Sequence, residues 1–563
     1  MKKINSSQIA LAITLVCASA HSLAQTAPNI GDAMRQVQPP VVPAKPQPTL
    51  PSVGGVQIEA PMTALPSGPK VNVRSFEILG NRVIEVAELL ALVADGTGKS
   101  LTLPELEALT QRITKHYRSA GYFVARAYIP AQEVASGVIK IRVVEGNYGQ
   151  FHLKNQSLVE DDVVQGMLDD VKSADIVSLD TLERAMLIIN DTPGVQVSRA
   201  DVMPGQRVGT SDFAVDTIAT APYAGYVMVD NYGSVYTGTN RVSFNVDANS
   251  VTGRGDRLSA SGLATDNGGL LNARIGYTRP LAANGLRGEV AASQTQYQLG
   301  NTYSSLDARG TAKALDASVT YPVRRIRAQT IEASFGVAYK DLEDKVQSTN
   351  TRTPKTSSSA NFGLSLKDER AVVGFDGVTN AGVQLTFGRL DIKDATALTN
   401  DAAGAQTQGD FSKLTANISR TSLLPNSFSL TTALRHQRSF AHKNLDGSER
   451  MAVSGSTGVM AYPSGELIGS QATFVRLELA QSLPEWQGMK SSWQVFTDWG
   501  TAKAANPLIT DVNRSISDVG LGWTANYSNA IIKAHVAHRI QDVSPTSEAY
   551  ARNKFLLQAG YMF

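Results

Sequence analysis

The chain has 563 residues, too many for one ordinary soluble domain, so several units are expected. Its net charge is +2 and only 18% of its residues are charged, which gives no support for a nucleic-acid partner. No internal stretch reaches the ~20 apolar residues that a membrane-spanning helix needs, so passage through a membrane would have to use strands.

The N-terminus reads as an export signal over residues 1–24. Lys2 and Lys3 are followed by an apolar run from Ile9 to Ala20 and a small-x-small cleavage site, Ser22-Leu23-Ala24. The single cysteine, Cys17, lies inside this segment. Val16 stands before it where a lipoprotein site wants a small residue. The mature chain is then expected to lack cysteine, which removes disulfides and thiol chemistry. Residues 25–70 hold a short helical stretch, Ile30 to Gln38, with Asp32 suited to its N-terminal dipole. An unstructured mature N-terminus fits these residues equally. Ten of the 23 prolines fall between Pro28 and Pro69, the composition of an extended linker.

Residues 71–148 read as strand, helix, helix, strand, strand. Phe76 and Ile78 lie in the first strand. Ile84 to Val93 is a short helix, and Leu103 to Ala120 a longer one with Leu106, Leu109, Ile113 and Tyr117 on one face. Gly121 stops it. Tyr122 to Ile129 and Val138 to Val144 follow as strands. Residues 149–220 repeat the plan, with helices at Val163 to Leu168 and Leu179 to Ile189 and strands at Val195 to Met203 and Ser211 to Ile218. Two successive units of about 75 residues with one element order form an internal repeat.

From Ala221 to Phe563 the pattern becomes period-two alternation between polar and Gly-rich turns. Val475, Leu477 and Leu479 alternate with Phe474, Arg476 and Glu478. Trp493, Val495 and Trp499 alternate with Gln494, Phe496 and Asp498. Such alternation fits a soluble sandwich or a membrane barrel. The last residues, Phe555, Leu557, Ala559, Tyr561 and Phe563, put an aromatic-ended apolar face at the chain terminus. Termini in water usually fray, whereas a strand closing a membrane barrel meets lipid and must pair. With the export signal, this selects the barrel. Counting segments gives about sixteen strands, an even number as such barrels require. Long loops are expected near Lys345–Lys355, Ala395–Asp410 and Phe440–Ser470. The terminal strand should close against the strand beginning near Tyr223.

In this order, the parts resemble an outer-membrane transporter of two-partner secretion (TpsB, haemolysin secretion/activation type) in the Omp85 superfamily. The two repeats resemble POTRA domains through Gly121-Tyr-Phe-Val-Ala-Arg-Ala-Tyr-Ile-Pro130, Val144-Glu-Gly146, Asn190-Asp-Thr-Pro-Gly-Val195 and Pro204-Gly-Gln-Arg-Val-Gly-Thr-Ser211. The barrel start Val229-Asp-Asn-Tyr-Gly233 and the Gly255-Asp256 turn also fit. The resemblance implies an inward-folded loop, about 440–470, marked by a Val-Arg-Gly-Tyr tetrad. Here that tetrad is Val459, Met460, Ala461 and Tyr462. The family's arginine pairs with the aspartate of a Phe-x-Asp-x-Gly motif, which is intact as Phe496, Asp498 and Gly500. Met460 cannot make that charge-assisted bond. Arg476 is a candidate substitute, since a hairpin centred on Gln487 sets it across from Asp498. A hydrated Asp498 in a wet lumen and a loop resting differently remain open.

The resemblance further implies a partner: a large secreted exoprotein, captured through its N-terminal secretion domain. Candidate sheet edges for that capture are Val138 to Val144 and Val195 to Met203. It implies outer-membrane lipid around a monomeric barrel, the helix at Ile30 as a plug, and Phe555 to Phe563 as a signal read by the barrel-assembly machinery. A barrel-assembly insertase and a passive porin are the rival readings. No cofactor, metal site or enzyme chemistry is expected, because the seven histidines show no ligand spacing and no nucleophile elbow or Walker loop appears.

Overall fold

A computed structural model describes residues 28–37, 51, 69–134, 136–507, 514–541, 543–546, 548 and 551–563. The expected signal peptide and most of the Pro-rich linker lie outside them. The first element is helix α1 (Ile30–Gln36), which starts at a capping box in which Asn29 and Asp32 satisfy each other's backbone N–H groups.

The first small unit contains β1 (Val71–Asn72), β2 (Ser75–Leu79), α2 (Val86–Ala91), β3 (Ser100–Leu101), α3 (Leu103–Ser119), β4 (Arg126–Tyr128) and β5 (Val138–Val144). Helix α3 begins at a Thr102–Glu105 capping box with Pro104 in its first turn. Its buried residues Leu106, Leu109, Ile113 and Tyr117 share one face and cover Phe76, Ile78, Ile139 and Ile141 of the sheet. Tyr122 to Ile129, expected as one strand, pairs only over β4, because a turn at Tyr122–Ala125 holds its first half off the sheet.

The sheet order is β2-β5-β4, with β2 and β5 parallel. Val138–Val144 is therefore the middle strand, contrary to its reading as an edge. Its two neighbours come from either end of the unit, and the free edges belong to β2 and β4. The second unit repeats this topology with β6 (Asn147–Gln156), α4 (Asp161–Asp170), α5 (Leu179–Asp191), β7 (Val195–Pro204) and β8 (Thr210–Ala219) in the order β6-β8-β7. Here β7 is an edge.

Glu145, at the junction of the units, is buried in the first core. Its carboxylate accepts from the Arg82 and Val83 backbone N–H groups at 2.6 and 2.9 Å and from the Tyr117 hydroxyl at 2.9 Å. Burial, with the adjacent Glu145 carboxylate, pushes the Tyr117 phenol above its ordinary range.

Sixteen antiparallel strands then close into a barrel. They are β9 (Tyr223–Asp230), β10 (Arg241–Asn249), β11 (Arg257–Thr265), β12 (Leu270–Pro280), β13 (Arg287–Gln298), β14 (Ala308–Ile326), β15 (Gln329–Val346), β16 (Thr351–Asp368), β17 (Gly377–Ile392), β18 (Gly409–Leu423) and β19 (Phe428–Ser439). After a long loop come β22 (Gln471–Ser482), β23 (Met489–Lys503), β24 (Arg514–Tyr527), β25 (Ala530–Arg539) and β26 (Asn553–Met562). The loop itself holds a two-stranded stalk, β20 (Met451–Ala452) with β21 (Ile468–Gly469).

The outer face carries Val475, Leu477, Leu479, Val495 and Trp499 among its exposed side chains, while Phe496 and Asp498 point inward and are buried. Phe335, Phe362 and Phe387 join ring to ring across three strands of that outer face, with centroids 5.0 and 6.3 Å apart. Lys345–Lys355 is not a long loop: β15 and β16 continue to Val346 and from Thr351, joined by a short turn. The 393–408 connection is a loop containing helix α6 (Ala395–Ala403). Strand β26 closes on β9, and the Phe563 N–H and carbonyl both pair with Gly225 at 3.0 Å.

The second small unit is fastened to the barrel's turns. Arg325, at the end of β14, donates to both oxygens of Asp191 in α5 at 2.7 and 2.8 Å. Arg254, in the β10–β11 turn, reaches Glu160 and Asp162 at 2.8 and 2.7 Å. That side of the barrel is thereby the side of the second small unit.

Replacing Glu145 by Ala strands the buried Tyr117 phenol in the first core and takes the acceptor from the Arg82 and Val83 N–H groups at its margin. The expected cost is about 1–3 kcal/mol per buried group left unpaired. Hydrogen exchange on the full-length protein should show faster exchange at Arg82, Val83 and along α3, with the barrel amides unchanged. Unaltered protection of α3 would contradict this role for Glu145.

Candidate functional site: the inward loop and the wall it rests on

The loop from Phe440 to Ser470 folds into the barrel instead of away from it, and Val453, Val459, Ala461 and Tyr462 are fully buried there. Its tip is compact because the backbone closes on itself. The Val459 N–H donates to the Val453 carbonyl at 2.8 Å, and Gly455 turns the chain at φ +93°. The Leu467 N–H donates to Ser454 Oγ at 3.0 Å, tying the returning arm to the outgoing one.

Beneath the tip, four strands present one row of charges in direct register: Arg476 of β22, Asp498 of β23, Asp518 of β24 and Arg539 of β25. Arg476 Nε and Nη2 each donate to one oxygen of Asp498 at 2.7 Å, a bidentate pair. The same guanidinium donates from Nη2 to the Gly458 carbonyl of the loop at 3.2 Å. Asp518 accepts the Ala461 N–H at 2.7 Å, and Arg539 Nε donates to the Ala461 carbonyl at 3.1 Å. The peptide groups of the tip are thus gripped from the wall on both sides. Asp498 and Asp518 are 1% and 0% exposed, so neither carboxylate relies on bulk water.

The tetrad residues divide between these charges and an apolar bed. Met460 sits in a buried cluster with Val453, Val459, Phe474 and Phe496. Tyr462 lies under the Arg539 guanidinium, 4.9 Å from ring centre to Cζ, and its hydroxyl donates to the Val543 carbonyl at 3.1 Å. Gly500 has a steric reason: a Cβ there would stand 3.1 Å from both Val453 and Val459, which already press on the wall. Phe496 lies under Arg476, 5.4 Å from its Cζ.

The rest of the loop is held by further ion pairs that its sequence motif does not announce. Glu449 sits between Lys340 and Lys413 at 2.6 and 2.8 Å, and Asp446 pairs with Lys355 at 3.0 Å. Glu466 accepts from Arg514 and from the Thr546 N–H, the latter at 2.8 Å. Asn444 uses its whole amide: it donates to the Ala405 and Asn506 carbonyls at 2.9 and 2.8 Å and accepts from the Ala505 and Asn506 N–H groups at 2.9 Å. These residues, and Asp518 and Arg539, were not singled out from the sequence. The Asp518–Arg539 register follows from the tight turn at Ser528-Asn529, so strand parity and turn length could have found it.

Helix α1 also lies inside the barrel, against the same loop. Ile30 and Ala33 are buried beside Tyr236, Leu263, Leu270 and Tyr297. The Ile30 N–H donates to Asp344 at 2.8 Å, and Arg241 donates to the Gln36 carbonyl at 2.7 Å. Arg35 pairs with Asp32 and donates to the Gly447 carbonyl. Gly31 meets Gly447 so closely that a Cβ on Gly31 would lie 2.3 Å from the Gly447 carbonyl carbon. The site therefore contains a braced loop and a helix packed against it, and among the described residues no group of three His, Cys, Asp or Glu could hold a metal.

Comparison with known proteins places this architecture. Residues 71–146 match the family described as POTRA domain, ShlB-type, and residues 209–524 match the haemolysin secretion/activation proteins ShlB/FhaC/HecB. The heme/hemopexin transporter protein HuxB of Haemophilus influenzae (strain 86-028NP) is 27% identical over 454 residues, covering 80% of this chain and 79% of that one. The outer membrane transporter CdiB of Escherichia coli is 29% identical over 213 residues, 36% of this chain and 35% of that one. The structure of CdiB from Escherichia coli superimposes with a TM-score of 0.72 at 18% identity, over 91% of this chain and 94% of that one. BamA from Haemophilus ducreyi lacking POTRA domains 1–3 gives 0.50 at 14% identity, over 87% and 100%. With more than half its length inside one family model, the chain belongs to the ShlB/FhaC/HecB family and is a two-partner secretion transporter of the Omp85 superfamily, an outer-membrane barrel with its POTRA region in the periplasm.

Proposed function

We propose that this transporter passes one large exoprotein, unfolded, outward through its barrel, after both small units recognise the exoprotein's N-terminal secretion domain. The observation that carries the reading is the content of the lumen. Two elements fill it, α1 and the inward loop, and beside a small apolar contact each is tied to the wall by hydrogen bonds and ion pairs. Water and a passing polypeptide can replace such bonds at modest net cost, whereas a packed apolar plug could not be withdrawn so cheaply.

Capture would use strand addition to a free edge, for which β7 of the second unit and β2 and β4 of the first are open in the sheet order. The polar lumen then offers hydrogen bonds without an apolar wall to trap the chain. Folding of the exoprotein outside draws transport forward, with no nucleotide consumed. In this scheme α1 is the plug, and the tip at Val459 to Tyr462 is the gate. Arg476 replaces the loop arginine whose place Met460 takes. The protein acts as a monomer set in outer-membrane lipid, and it is not an enzyme. The direct test is deletion of this protein beside an exoprotein encoded next to it. Surface exoprotein should disappear, and an unchanged surface level would refute the reading.

Arg476→Met leaves Asp498 buried without its cation, a change that typically costs about 3–5 kcal/mol. The loop tip should detach and conductance in planar bilayers should rise. Adding Met460→Arg to that variant returns a cation from the loop side and should bring conductance back toward wild type, a coupling that additive effects would not give. Wild-type conductance in Arg476→Met would sink the bracing role.

The terminal strand is proposed as the feature read by the assembly machinery. Phe563→Ala should lower the amount of folded protein in outer-membrane fractions several-fold, while secretion per assembled molecule stays near wild type. The reverse pattern would remove that assignment.

A further inference from the structure

The seam that closes the barrel is shorter than its neighbours. Strand β26 makes nine registered pairs with β25 but only five with β9, from Gln558–Asp230 to Met562–Tyr226. The cause is in β9, which ends at Asp230, while Tyr236 in the following turn is buried inside the barrel with Leu263 and Tyr297. Strand β26 extends further, back to Asn553. On the side of the barrel away from the small units, a notch is left between β26 and the ends of β9, β10 and β11.

An open strand edge facing lipid would be costly, because hydrocarbon offers backbone groups no partner. Here Asn231 removes the problem. Its N–H donates to the Leu557 carbonyl at 3.2 Å. Its side-chain Oδ1 accepts the Leu557 N–H at 2.9 Å, and its Nδ2 donates to the Phe555 carbonyl at 3.0 Å. A primary amide carries the donor and acceptor of a peptide group, so Asn231 extends the ladder by about one rung without a strand.

With the Leu557 peptide groups and the Phe555 carbonyl satisfied, the surface that the remaining space exposes is mostly apolar. It measures about 440 Å³ and is lined by Val229, Val242, Ala264, Phe555, Leu557 and Ala559. Val229, Val242, Phe555 and Leu557 are exposed on the outer face, continuous with the lipid-facing surface. Its outer rim is polar, where Asn240 Nδ2 donates to Asp266 Oδ2 at 2.8 Å. A mostly apolar recess of this size on a lipid-facing wall either stays void, losing dispersion contacts on its lining, or takes up hydrocarbon.

We propose that this notch is a binding site for one hydrocarbon chain of an outer-leaflet lipid, which completes the seam where the ladder stops. The chain lies between Phe555 and Leu557 on one side and Val242 and Ala264 on the other, with its headgroup at the Asn240–Asp266 rim. The site depends on the outer-membrane location and not on the secretion mechanism.

Native mass spectrometry of the full-length protein, extracted from its own membrane in mild detergent, tests this. Wild type should retain one lipid. Ala264→Phe fills the notch and should lower the retained fraction at least tenfold. Ala292→Phe, on the exposed face of β13 two strands further round, should retain it. Equal retention by wild type and Ala264→Phe, or none by wild type, overturns the proposal. A second measurement needs no variant. A phosphatidylethanolamine with a diazirine midway along one chain, reconstituted with wild type, should label peptides around Val242, Ala264 and Leu557 above all others. Labelling spread evenly around the barrel would likewise overturn it.

Discussion

Four charges in one row hold the interior of this barrel in place. Arg476, Asp498, Asp518 and Arg539 are cross-strand neighbours on four successive strands, ordered positive, negative, negative, positive. Two carboxylates side by side under a loop, shut away from bulk water, would not be tolerated alone. One is saturated by the Arg476 fork, and the other takes a backbone N–H from the loop. The loop tip therefore belongs to the electrostatic balance of the wall: removing it takes the Ala461 N–H from Asp518. The apolar bed of Met460, Val459 and Phe496 adds burial but little direction. Register comes from the charges.

The loop's root is built on different chemistry and does a different job. Glu449 and Asp446 fasten it to β15, β16 and β18 through lysines, on another part of the wall from the tip. Helix α1 docks on this root, glycine against glycine, and not on the tetrad. One strap thus spans the lumen with two anchors, and helix α1 leans on one of them. Lysines make single-point contacts on flexible stems, while the tip is held by forked arginines.

Much of this was legible in the residues, for definite reasons. Period-two alternation fixes which side chains face inward, so Phe496, Asp498 and Gly500 could be put on the lumen face. The six-residue link between Ser482 and Met489 is short enough to set the register that faces Arg476 with Asp498. The same logic fails where pairing is not local. Val138 to Val144 reads as a strand from its pattern, but its parallel partner β2 lies some sixty residues earlier and nothing nearby reveals it. Lys345 to Lys355 reads as a loop because Glu343, Lys345 and Arg352 are charged. Those residues are paired to one another on a stretch of strand beyond the apolar band, where no lipid demands alternation. Asp498 facing Asp518 was hidden by the long connection between β23 and β24, whose length fixes no register.

If the tip rests on the wall at Gly500 and must leave it for transport, fixing it there stops secretion. The lack of cysteine after Cys17 makes a clean cross-link feasible. Val459 Cγ2 stands 3.1 Å from where a Gly500 Cβ would be, close enough for a disulfide between cysteines at the two positions once Val453, also 3.1 Å away, gives slightly. In Val459→Cys/Gly500→Cys, oxidation should form the bond in the resting protein and stop exoprotein secretion, and reduction should restore it. Full secretion with the disulfide quantitatively formed would show that the tip need not leave the wall.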